Sequence, residues 1–314
     1  MNMPTLAPRQ PSIPIAIVGM SAIMPRAGDV DGFWRNIANG VNCISKVPQT
    51  HWLTCDYFDP DPRAPDKTYS DCGAFLDPVA FDPLEFGIPP AILPATDPVQ
   101  LLALIATHDL LGDVAPGGLD KLDLSRTGIV LGTSSTTQLA MALVARTQSP
   151  IWRKAMREGG LAEEQVQAIC ERIAAHYPAW QESSFPGLLG NVVAGRVANR
   201  FNLGGMNCIV DAACASSLAA VAVSLDVLYL GNADMMITGG IDILNDPMMY
   251  MCFSKTPAMS PTGVCRPFAD SADGTLMGEG VALVALKRLS DAERDGNAIY
   301  GVIRGLGASS DVGA

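Results

Sequence analysis

The 314-residue chain is 48% hydrophobic, which is enough for a sizeable core in one large domain or two smaller ones and argues against a disordered or fibrous protein. Its net charge of −11, with the basic residues scattered, makes nucleic acid a poor partner. No run approaches the about 20 uninterrupted apolar residues of a membrane span, and the eight irregularly placed cysteines and three histidines argue against a zinc site and a secreted disulfide framework.

The amino-terminal region is expected to pass from a short leader directly into the core. Residues 1–14 lack the apolar stretch of a signal peptide, which predicts a flexible leader at residues 1–12 and a cytoplasmic location. Residues 13–19 (IPIAIVG) form an apolar run ending in glycine, which predicts a buried strand entering a turn. Residues 42–98 are rich in proline, aspartate and aromatic residues without steady periodicity, which indicates a long, ordered surface excursion with little regular structure.

The middle of the chain alternates between apolar runs and helical patterns. The pair Asp97-Pro98 predicts the start of a helix that runs to Leu110, because proline in a first turn gives up no hydrogen bond. Residues 128–132 (GIVLG) predict the next buried strand, and residues 137–182 a mostly helical segment. The basic residues of that segment include Arg153, Lys154 and Arg157. They are favoured to form an ordinary solvated helix face rather than a docking patch for an acidic partner.

The second half of the chain predicts a regular alternation of strands and helices. Strands are expected at residues 207–212, 235–238, 281–286 and 300–306. A helix at residues 216–230 joins the first two, and four of its apolar residues are predicted to share one buried face. These are Leu218, Val221, Leu225 and Leu228. Such alternation implies an α/β fold with a parallel or mixed sheet covered by helices.

The turn before the helix at residues 216–230 carries the residue with the clearest chemical role, Cys214. Residues 211–217 read DAACASS, so the sulfur is expected at a helix N-terminus, close to unpaired backbone N–H groups and the positive end of the helix dipole. This setting favours the thiolate, which is the species that attacks a thioester. The small neighbouring residues leave room for an acyl group, and the N–H groups of the turn, including that of Cys214, are suited to stabilise an oxyanion.

A cysteine taken at random is more often a packing residue than a nucleophile, and the flanking pattern is what sets Cys214 apart. The seven others lack such a turn and are predicted to be packing or surface residues: Cys43, Cys55, Cys72, Cys170, Cys208, Cys252 and Cys265. A cysteine hydrolase is a weaker hypothesis, because no matching histidine follows Cys214 in the chain.

Residues 211–217 resemble the active-site motif of the β-ketoacyl synthases, members of the thiolase-like superfamily, at every position. Other landmarks of that family follow in the same order. They are IAIVGM (15–20), FW (33–34), GNVVAGRVANRF (190–201), FSKTPAMS (253–260), CRPF (265–268) and GEG (278–280). Stretches such as SSFPGLLGN (183–191) and GASSD (307–311) are most similar to the ketosynthase of bacterial polyunsaturated fatty acid synthases and related iterative type I polyketide synthases, with modular polyketide ketosynthases as near neighbours.

The resemblance implies a thiolase-like αβαβα layered fold. Residues 13–289 are expected to supply its amino-terminal half and residues 290–314 only the beginning of the second half. It also implies an activity: Cys214 accepts an acyl chain from the phosphopantetheine thiol of a carrier protein, and a malonyl unit then loses carbon dioxide and attacks the acyl thioester. Phe253 is expected to contribute to the acyl pocket.

The same resemblance implies the partners. They are acyl carrier protein, acyl and malonyl thioesters, a second copy of the chain paired through residues 207–211, and other synthase domains or a completing carboxy-terminal half. No metal and no cofactor is expected on the chain itself, since the phosphopantetheine belongs to the carrier protein.

The histidines mark a departure from the family pattern. The family's two later histidines, its lysine and its glycine-rich loop serve condensation, and the resemblance places all of them beyond residue 314, while His51, His108 and His176 match none of them. The 314-residue chain, expected to be incomplete, is therefore predicted to load acyl groups without condensing them. The alternative is a non-condensing, ketosynthase-like module for acyl loading, carrier docking or dimerisation. Cys214 favours the enzyme, because non-catalytic relatives commonly lose this cysteine.

Overall fold

Two ranges, residues 13–134 and 137–309, are described by the computed structural model. Within them lie nine strands: β1 (Ile15–Ile23), β2 (Ser45–Lys46), β3 (Cys72–Ala74), β4 (Thr127–Gly132), β5 (Asn207–Val210), β6 (Met235–Asp242), β7 (Met277–Gly278), β8 (Gly280–Arg288) and β9 (Gly301–Ile303). The same ranges contain eleven α-helices: α1 (Val30–Ala38), α2 (Thr54–Tyr57), α3 (Pro98–Val114), α4 (Thr137–Thr147), α5 (Ser149–Glu158), α6 (Glu163–Ala174), α7 (Ser184–Leu188), α8 (Asn191–Phe201), α9 (Ser216–Tyr229), α10 (Pro247–Lys255) and α11 (Leu289–Arg294).

Six strands form one mixed sheet in the order β5-β4-β6-β8-β1-β9. β4 runs parallel to both β5 and β6, whereas β8 is antiparallel to β6 and to β1, and β9 is antiparallel to β1. β4 is buried at all six positions, as expected of a central strand that helices cover on both faces. Every strand predicted from an apolar run is present in this sheet, and the sheet is of the mixed kind that the sequence allowed.

Helices cover both faces of the six-stranded sheet. On one face, α3 and α8 pack against side chains of β1, β4, β6 and β8, with Leu104, Leu110 and Val197 fully buried. On the other face, Leu225 and Leu228 of α9 pack with the side chains of the same sheet that point the other way. The sheet therefore lies between two helical layers, which confirms the predicted α/β class.

The start of α3 lies where the sequence predicts it, and its N-cap joins two helices. The Asp97 carboxylate accepts hydrogen bonds from the N–H of Val99 at 3.1 Å and from the N–H of Leu139 in the first turn of α4 at 2.9 Å. Burial raises the pKa of this carboxyl group above its usual range. Asp97 thus fixes the start of α4 beside the start of α3.

One predicted packing position in α9 was wrong. Leu225 and Leu228 are buried as expected, but Leu218 is 69% exposed. The first turn of α9 packs on the ends of β4 and β6 through residues 216–217, so Leu218 lies to one side of the buried face and lines an open cavity instead. The helix was predicted correctly, but its buried face does not include position 218.

Residues 42–98 contain little regular structure, as predicted, but they are more than a surface excursion. β2, β3 and β7 form a small second sheet in that order. Val47, Trp52 and Phe75 from this region pack with Tyr250 and Met259 into a separate apolar cluster. This cluster holds the excursion against α10 and the segment that follows it.

The carboxyl-terminal strand β9 pairs with β1, so it belongs to the six-stranded sheet rather than to a new one. The division expected at residues 289 and 290 stays a prediction. The leader at residues 1–12 lies outside the described residues, as do the last two residues of GASSD. Within residues 13–134 and 137–309, no helix combines the length and apolar character that crossing a bilayer requires.

Candidate active site

Cys214 lies in a short 3-10 turn, Ala213–Ala215, between β5 and the first residue of α9. The structure therefore places it at a strand-to-helix turn, as the sequence predicts. The thiol is exposed. Because β5 runs parallel to β4 and β4 to β6, this turn lies at the carboxyl edge of three parallel strands, where ligands of α/β sheets commonly bind.

Two side chains of the motif hold the turn in shape. The Ser216 hydroxyl accepts a hydrogen bond from the N–H of Ala212 at 2.9 Å and donates to the carbonyl of Ala213 at 2.6 Å. The Asp211 carboxylate accepts from the N–H of Ala213 at 3.0 Å. Ala213 has a φ of +49°, a left-handed conformation that costs an L-residue about 1–2 kcal/mol. These hydrogen bonds offset that cost and fix the backbone on which Cys214 stands.

Two glycines allow α9 to begin directly over the strand ends. A Cβ atom on Gly132, at the end of β4, would lie 2.4 Å from the carbonyl carbon of Ser216. A Cβ atom on Gly240, in β6, would lie 2.8 Å from the Cβ of Ser217. Larger residues at either position would push the first turn of α9, and with it Cys214, away from the sheet.

Cys214 opens into a cavity of about 490 Å³. Its walls come from the ends of β4 and β6, the start of β8, the turn itself and the first turns of α9. Apolar side chains on these walls include Met24, Leu218, Val221, Ile241 and Val284. A cavity of this size and lining accommodates an aliphatic chain attached to the thiol.

Two carboxylates also belong to the cavity wall, Asp242 and Glu279. Glu279 accepts a hydrogen bond from the N–H of Leu76 at 2.8 Å and lies 2.9 Å from His51 Nε2. Its side chain is 5% exposed. Burial, with a smaller contribution from the Glu279 charge, raises the pKa of Asp242, although the N–H of Leu244 donates to it.

The sequence places Glu279 in the GEG landmark without a role, and His51 matches none of the family's histidines. The structure instead places His51 against a wall residue of the cavity, with its ring 4.8 Å from that of Phe75. The short GEG motif identifies a position in the chain but not the residues that contact it. The partners, at residues 51 and 76, are more than 200 positions away in the chain, so no local signal identifies them.

The structure does not bring Phe253 to the cavity of Cys214. Its half-buried side chain packs instead in the cluster around Trp52 and Tyr250. Its role in an acyl pocket stays a prediction. His108 is half-exposed at the edge of the core, between Phe86 and Phe201, and His176 is exposed. No histidine lines the cavity among the described residues.

The remaining cysteines lie in packing or surface positions, and the basic residues Lys154 and Arg157 lie on a solvated helix face. Cys170 is buried and Cys208 half-buried, and all eight cysteines are free. Within the described residues, no group of three or more His, Cys, Asp or Glu is placed to hold a metal ion. Lys154 pairs with Glu158 and Arg157 with Glu163 on the surface, which is the solvated helix face that the sequence favoured.

Comparison with known proteins identifies the family. The model of the family described as "Beta-ketoacyl synthase, N-terminal domain" matches residues 12–292. The chain belongs to the β-ketoacyl synthase family. Its resemblance to that family and to the thiolase-like fold, inferred from the motifs, is thus confirmed.

Among curated proteins, this ketosynthase is 41% identical over 95% of its length to one of the subunits of the polyunsaturated fatty acid synthase of Thraustochytrium sp., and it covers 10% of that protein. It is 32% identical over 93% of its length to the polyketide synthase PksN of Bacillus subtilis, of which it covers 5%. These relatives are much larger synthases, so the ketosynthase chain corresponds to a small part of each.

Among solved structures, the ketosynthase resembles the oxazolomycin ketosynthase domain OzmH KS7 of Streptomyces albus, with a TM-score of 0.73 and 29% identity over 94% of this chain and 45% of that one. It also resembles the ketosynthase from module 6 of the bacillaene synthase of Bacillus subtilis, with a TM-score of 0.70 and 27% identity over 92% and 43%. The chain thus spans less than half of these solved ketosynthase chains.

Proposed function

We propose that Cys214 is the acyl acceptor of this ketosynthase. The observation that supports this most directly is the position of the thiol, on a hydrogen-bonded strand-to-helix turn at the mouth of a cavity with apolar side chains on its walls. In the proposed reaction the thiolate attacks the carbonyl carbon of an acyl thioester on a carrier protein's phosphopantetheine. A new carbon–sulfur bond forms to Cys214, the old one breaks, and the phosphopantetheine thiol leaves with a proton.

The same turn supplies an oxyanion donor. The N–H groups of Ala212, Ala213 and Ala215 are each bonded within the turn. No described residue accepts a hydrogen bond from the N–H of Cys214. This group is therefore free to donate to the oxygen that gains negative charge when the thioester is attacked, a contribution worth about 3 kcal/mol in comparable sites.

Condensation needs more than this chain offers. Decarboxylation of a malonyl unit requires donors that stabilise the developing enolate, and among the described residues lining the cavity there is no histidine or lysine for this purpose. We therefore propose that the 314-residue chain performs the acyl-transfer half-reaction alone. Carrier protein and acyl and malonyl thioesters are its proposed partners, and phosphopantetheine is carried by the carrier rather than bound as a cofactor.

The two half-reactions are separable in one experiment. The chain is incubated with hexanoyl carrier protein and then with malonyl carrier protein, while acyl-enzyme is measured by intact mass and carbon dioxide by release of label. We expect hexanoyl-enzyme to form and carbon dioxide to stay at background. A fusion of the chain to the carboxy-terminal half of a related ketosynthase is expected to release carbon dioxide. Carbon–carbon bond formation by the 314-residue chain alone would overturn the proposal.

One side of helix α9 is left uncovered by the sheet, which suggests that a further half of the fold packs there. Its fourteen residues are apolar around most of the circumference, yet the sheet covers only the face with Leu225 and Leu228. A helix that is apolar on all sides is normally buried on all sides. We propose that a carboxy-terminal half, or another domain of a larger synthase, covers the free side. A cytoplasmic location is also part of the proposal and agrees with eight free cysteines.

A second copy of the chain is the proposed partner of β5, which is an edge strand of the sheet. The N–H of Ile129 donates to Met206 and that of Thr133 to Val210, so the backbone groups of Ile209, between them, face the open edge. An antiparallel pairing centred on Ile209 would satisfy these groups in both copies and give a twofold interface.

Proline at position 209 tests this pairing. Ile209→Pro removes the edge-facing N–H without removing a bond to β4. Ile209→Ala, the control, shortens the side chain further than proline does but keeps the N–H. By light scattering we expect a dimer for the wild type and for Ile209→Ala, and a monomer for Ile209→Pro, with circular dichroism confirming that each is folded. A folded wild-type monomer, or a dimeric Ile209→Pro variant, would refute the interface.

A further inference from the structure

A second cavity lies between the excursion of residues 42–98 and the segment that follows α10. Its volume is about 530 Å³, within the range of about 300–1,000 Å³ that ligand pockets occupy. Among the described residues, none lines both this cavity and the cavity of Cys214. Acyl transfer therefore leaves the second cavity without a role.

The walls of the second cavity are fixed by hydrogen bonds. The Tyr69 hydroxyl donates to the carbonyl of Met259 at 2.9 Å, which joins the excursion to the segment after α10. The Lys255 ammonium at the end of α10 donates to two backbone carbonyls of the excursion, at 2.5 and 3.3 Å. The Ser260 hydroxyl donates to Asp273 at 2.8 Å. The space is therefore formed before a ligand enters, and binding costs little ordering of the walls.

Rigid rings make up much of this wall. Phe58 and Tyr69 are aromatic and half-buried, and four further lining residues are exposed prolines. These are Pro60, Pro62, Pro257 and Pro261. Aromatic-lined grooves bind proline-containing segments in the polyproline II conformation, because this helix is already extended and ordered before it binds. The rings of the wall thus favour a peptide of this kind.

Ser70 provides a free hydrogen-bonding group in the wall. The residue is 5% exposed, and its N–H and its carbonyl both bond to the Thr68 hydroxyl. Its own hydroxyl has no partner in the part of the chain that the structure describes. Nearly buried hydroxyls are normally hydrogen-bonded, so this group is available to donate to a carbonyl of a bound segment. Polyproline II segments leave their carbonyls free for such bonds.

The edge of the small sheet also suits an extended segment. β2 is an edge strand of that sheet, and its residue Lys46 lines the cavity. The N–H of Val47 donates to the carbonyl of Asp71, and Ser45 pairs with Gly73. In this antiparallel register the backbone N–H of Lys46 points away from β3. It is open to a carbonyl of an incoming chain.

The charge of the wall favours a basic segment. Its charged lining residues within the described ranges are Lys46, Asp71 and Asp273. The Lys46 ammonium binds one carboxylate oxygen of Asp71 at 2.5 Å, while the other oxygen accepts no hydrogen bond from a described residue. Asp273 is paired with Arg266 at 3.2 Å. The free oxygen of Asp71 is therefore the place for a cationic group, which the net charge of −11 also attracts.

We propose that the second cavity docks an extended, proline-containing linker segment of a larger synthase, and that this segment carries a basic side chain. Its proline rings pack against Phe58 and Tyr69. One of its carbonyls accepts the Ser70 hydroxyl, and its basic group pairs with Asp71. The relatives of this chain are much larger synthases, so segments outside the chain are present to fill the site. The proposal does not depend on acyl transfer.

Three fluorescein-labelled heptapeptides test the proposal by fluorescence anisotropy with the 314-residue chain. The first is Ala-Pro-Pro-Arg-Pro-Pro-Ala, the second has glutamate in place of arginine, and the third has alanine in place of every proline. We expect the first to bind at least about tenfold more tightly than either of the others, because each of those lacks one favourable feature. Equal affinities for the three, or no saturable binding of the first below about 1 mM, would rule out the docking site.

The variant Ser70→Ala locates the bound peptide. It removes a hydroxyl that has no partner in the described chain, so the midpoint of urea unfolding is expected to stay at the wild-type value. The affinity for the arginine peptide is expected to fall by about three- to tenfold, the loss of one hydrogen bond. Ser149→Ala is the matched control, since Ser149 begins α5 outside the cavity, and it is expected to bind within about twofold of wild type. An unchanged affinity in Ser70→Ala contradicts the proposed contact.

The variant Asp71→Asn tests the choice of a basic segment. It keeps the shape of the side chain and removes its charge, so the preference for the arginine peptide over the glutamate peptide is expected to fall to within about threefold. Circular dichroism checks that the variant is folded. A preference that stays at tenfold or more in folded Asp71→Asn shows that another group selects the charge, and that the proposed pairing is wrong.

Discussion

Replacement of Cys214 by alanine is expected to abolish acyl transfer to the chain. The alanine leaves the turn intact, because the bonds made by Asp211 and Ser216 do not involve the thiol, but it removes the only thiol among the described residues that line the cavity. Loss of a covalent nucleophile costs on the order of 10³-fold in rate or more. The rate of hexanoyl transfer from a pantetheine thioester, followed by intact mass, measures the effect.

The matched control is Cys252→Ala, which removes another exposed thiol, on α10 and outside the cavity. It is expected to load hexanoyl at the wild-type rate. If Cys214→Ala retains loading while Cys252→Ala loses it, the acceptor has been assigned to the wrong residue.

Substitution of Gly239 by alanine is expected to destabilise the fold by about 3 kcal/mol or more. Gly239 lies in β6 with a φ of +145°, and a Cβ atom there would be 2.0 Å from the carbonyl oxygen of Ala282 in β8. An L-residue would have to separate β6 from β8 in the middle of the sheet. The free energy of unfolding, from urea denaturation, measures the cost.

Gly112→Ala is the control for this substitution. Gly112 is an exposed residue of α3, and a Cβ atom there meets nothing within 4 Å. Alanine at this position is expected to stabilise the chain by about 0.5–1 kcal/mol, since glycine is a poor helix residue. Equal stabilities for Gly239→Ala and the wild type would show that β6 and β8 are not packed as described.

Much of the fold was predictable because its central strands are apolar on both faces. Residues 128–132 read as a buried strand for that reason, and β4 is indeed buried throughout. The order of the strands was not predictable in the same way. β8 looks like any other apolar run in the sequence, and only its packing between β6 and β1 reveals that it runs antiparallel to both.

In the candidate site, too, the local features were predictable from the sequence and the long-range ones were not. Cys214 was predictable because its turn, its small neighbours and its helix are all local. The acidic residues of its cavity were not, since Asp242 and Glu279 reach the cavity wall from the end of β6 and the segment before β8. Residue 218 shows the reverse: periodicity assigned it to the core, but it lies beside the buried face of α9 and its side chain lines the cavity.

The most direct test of the account is to locate the acyl group itself. The wild-type chain is incubated with a hexanoyl pantetheine thioester, digested, and analysed by tandem mass spectrometry. The account predicts one hexanoyl group per chain, on the peptide that contains Cys214, at the thiol that opens into the cavity. A hexanoyl group on Cys252 or Cys265 in folded protein, with Cys214 unmodified, would contradict it.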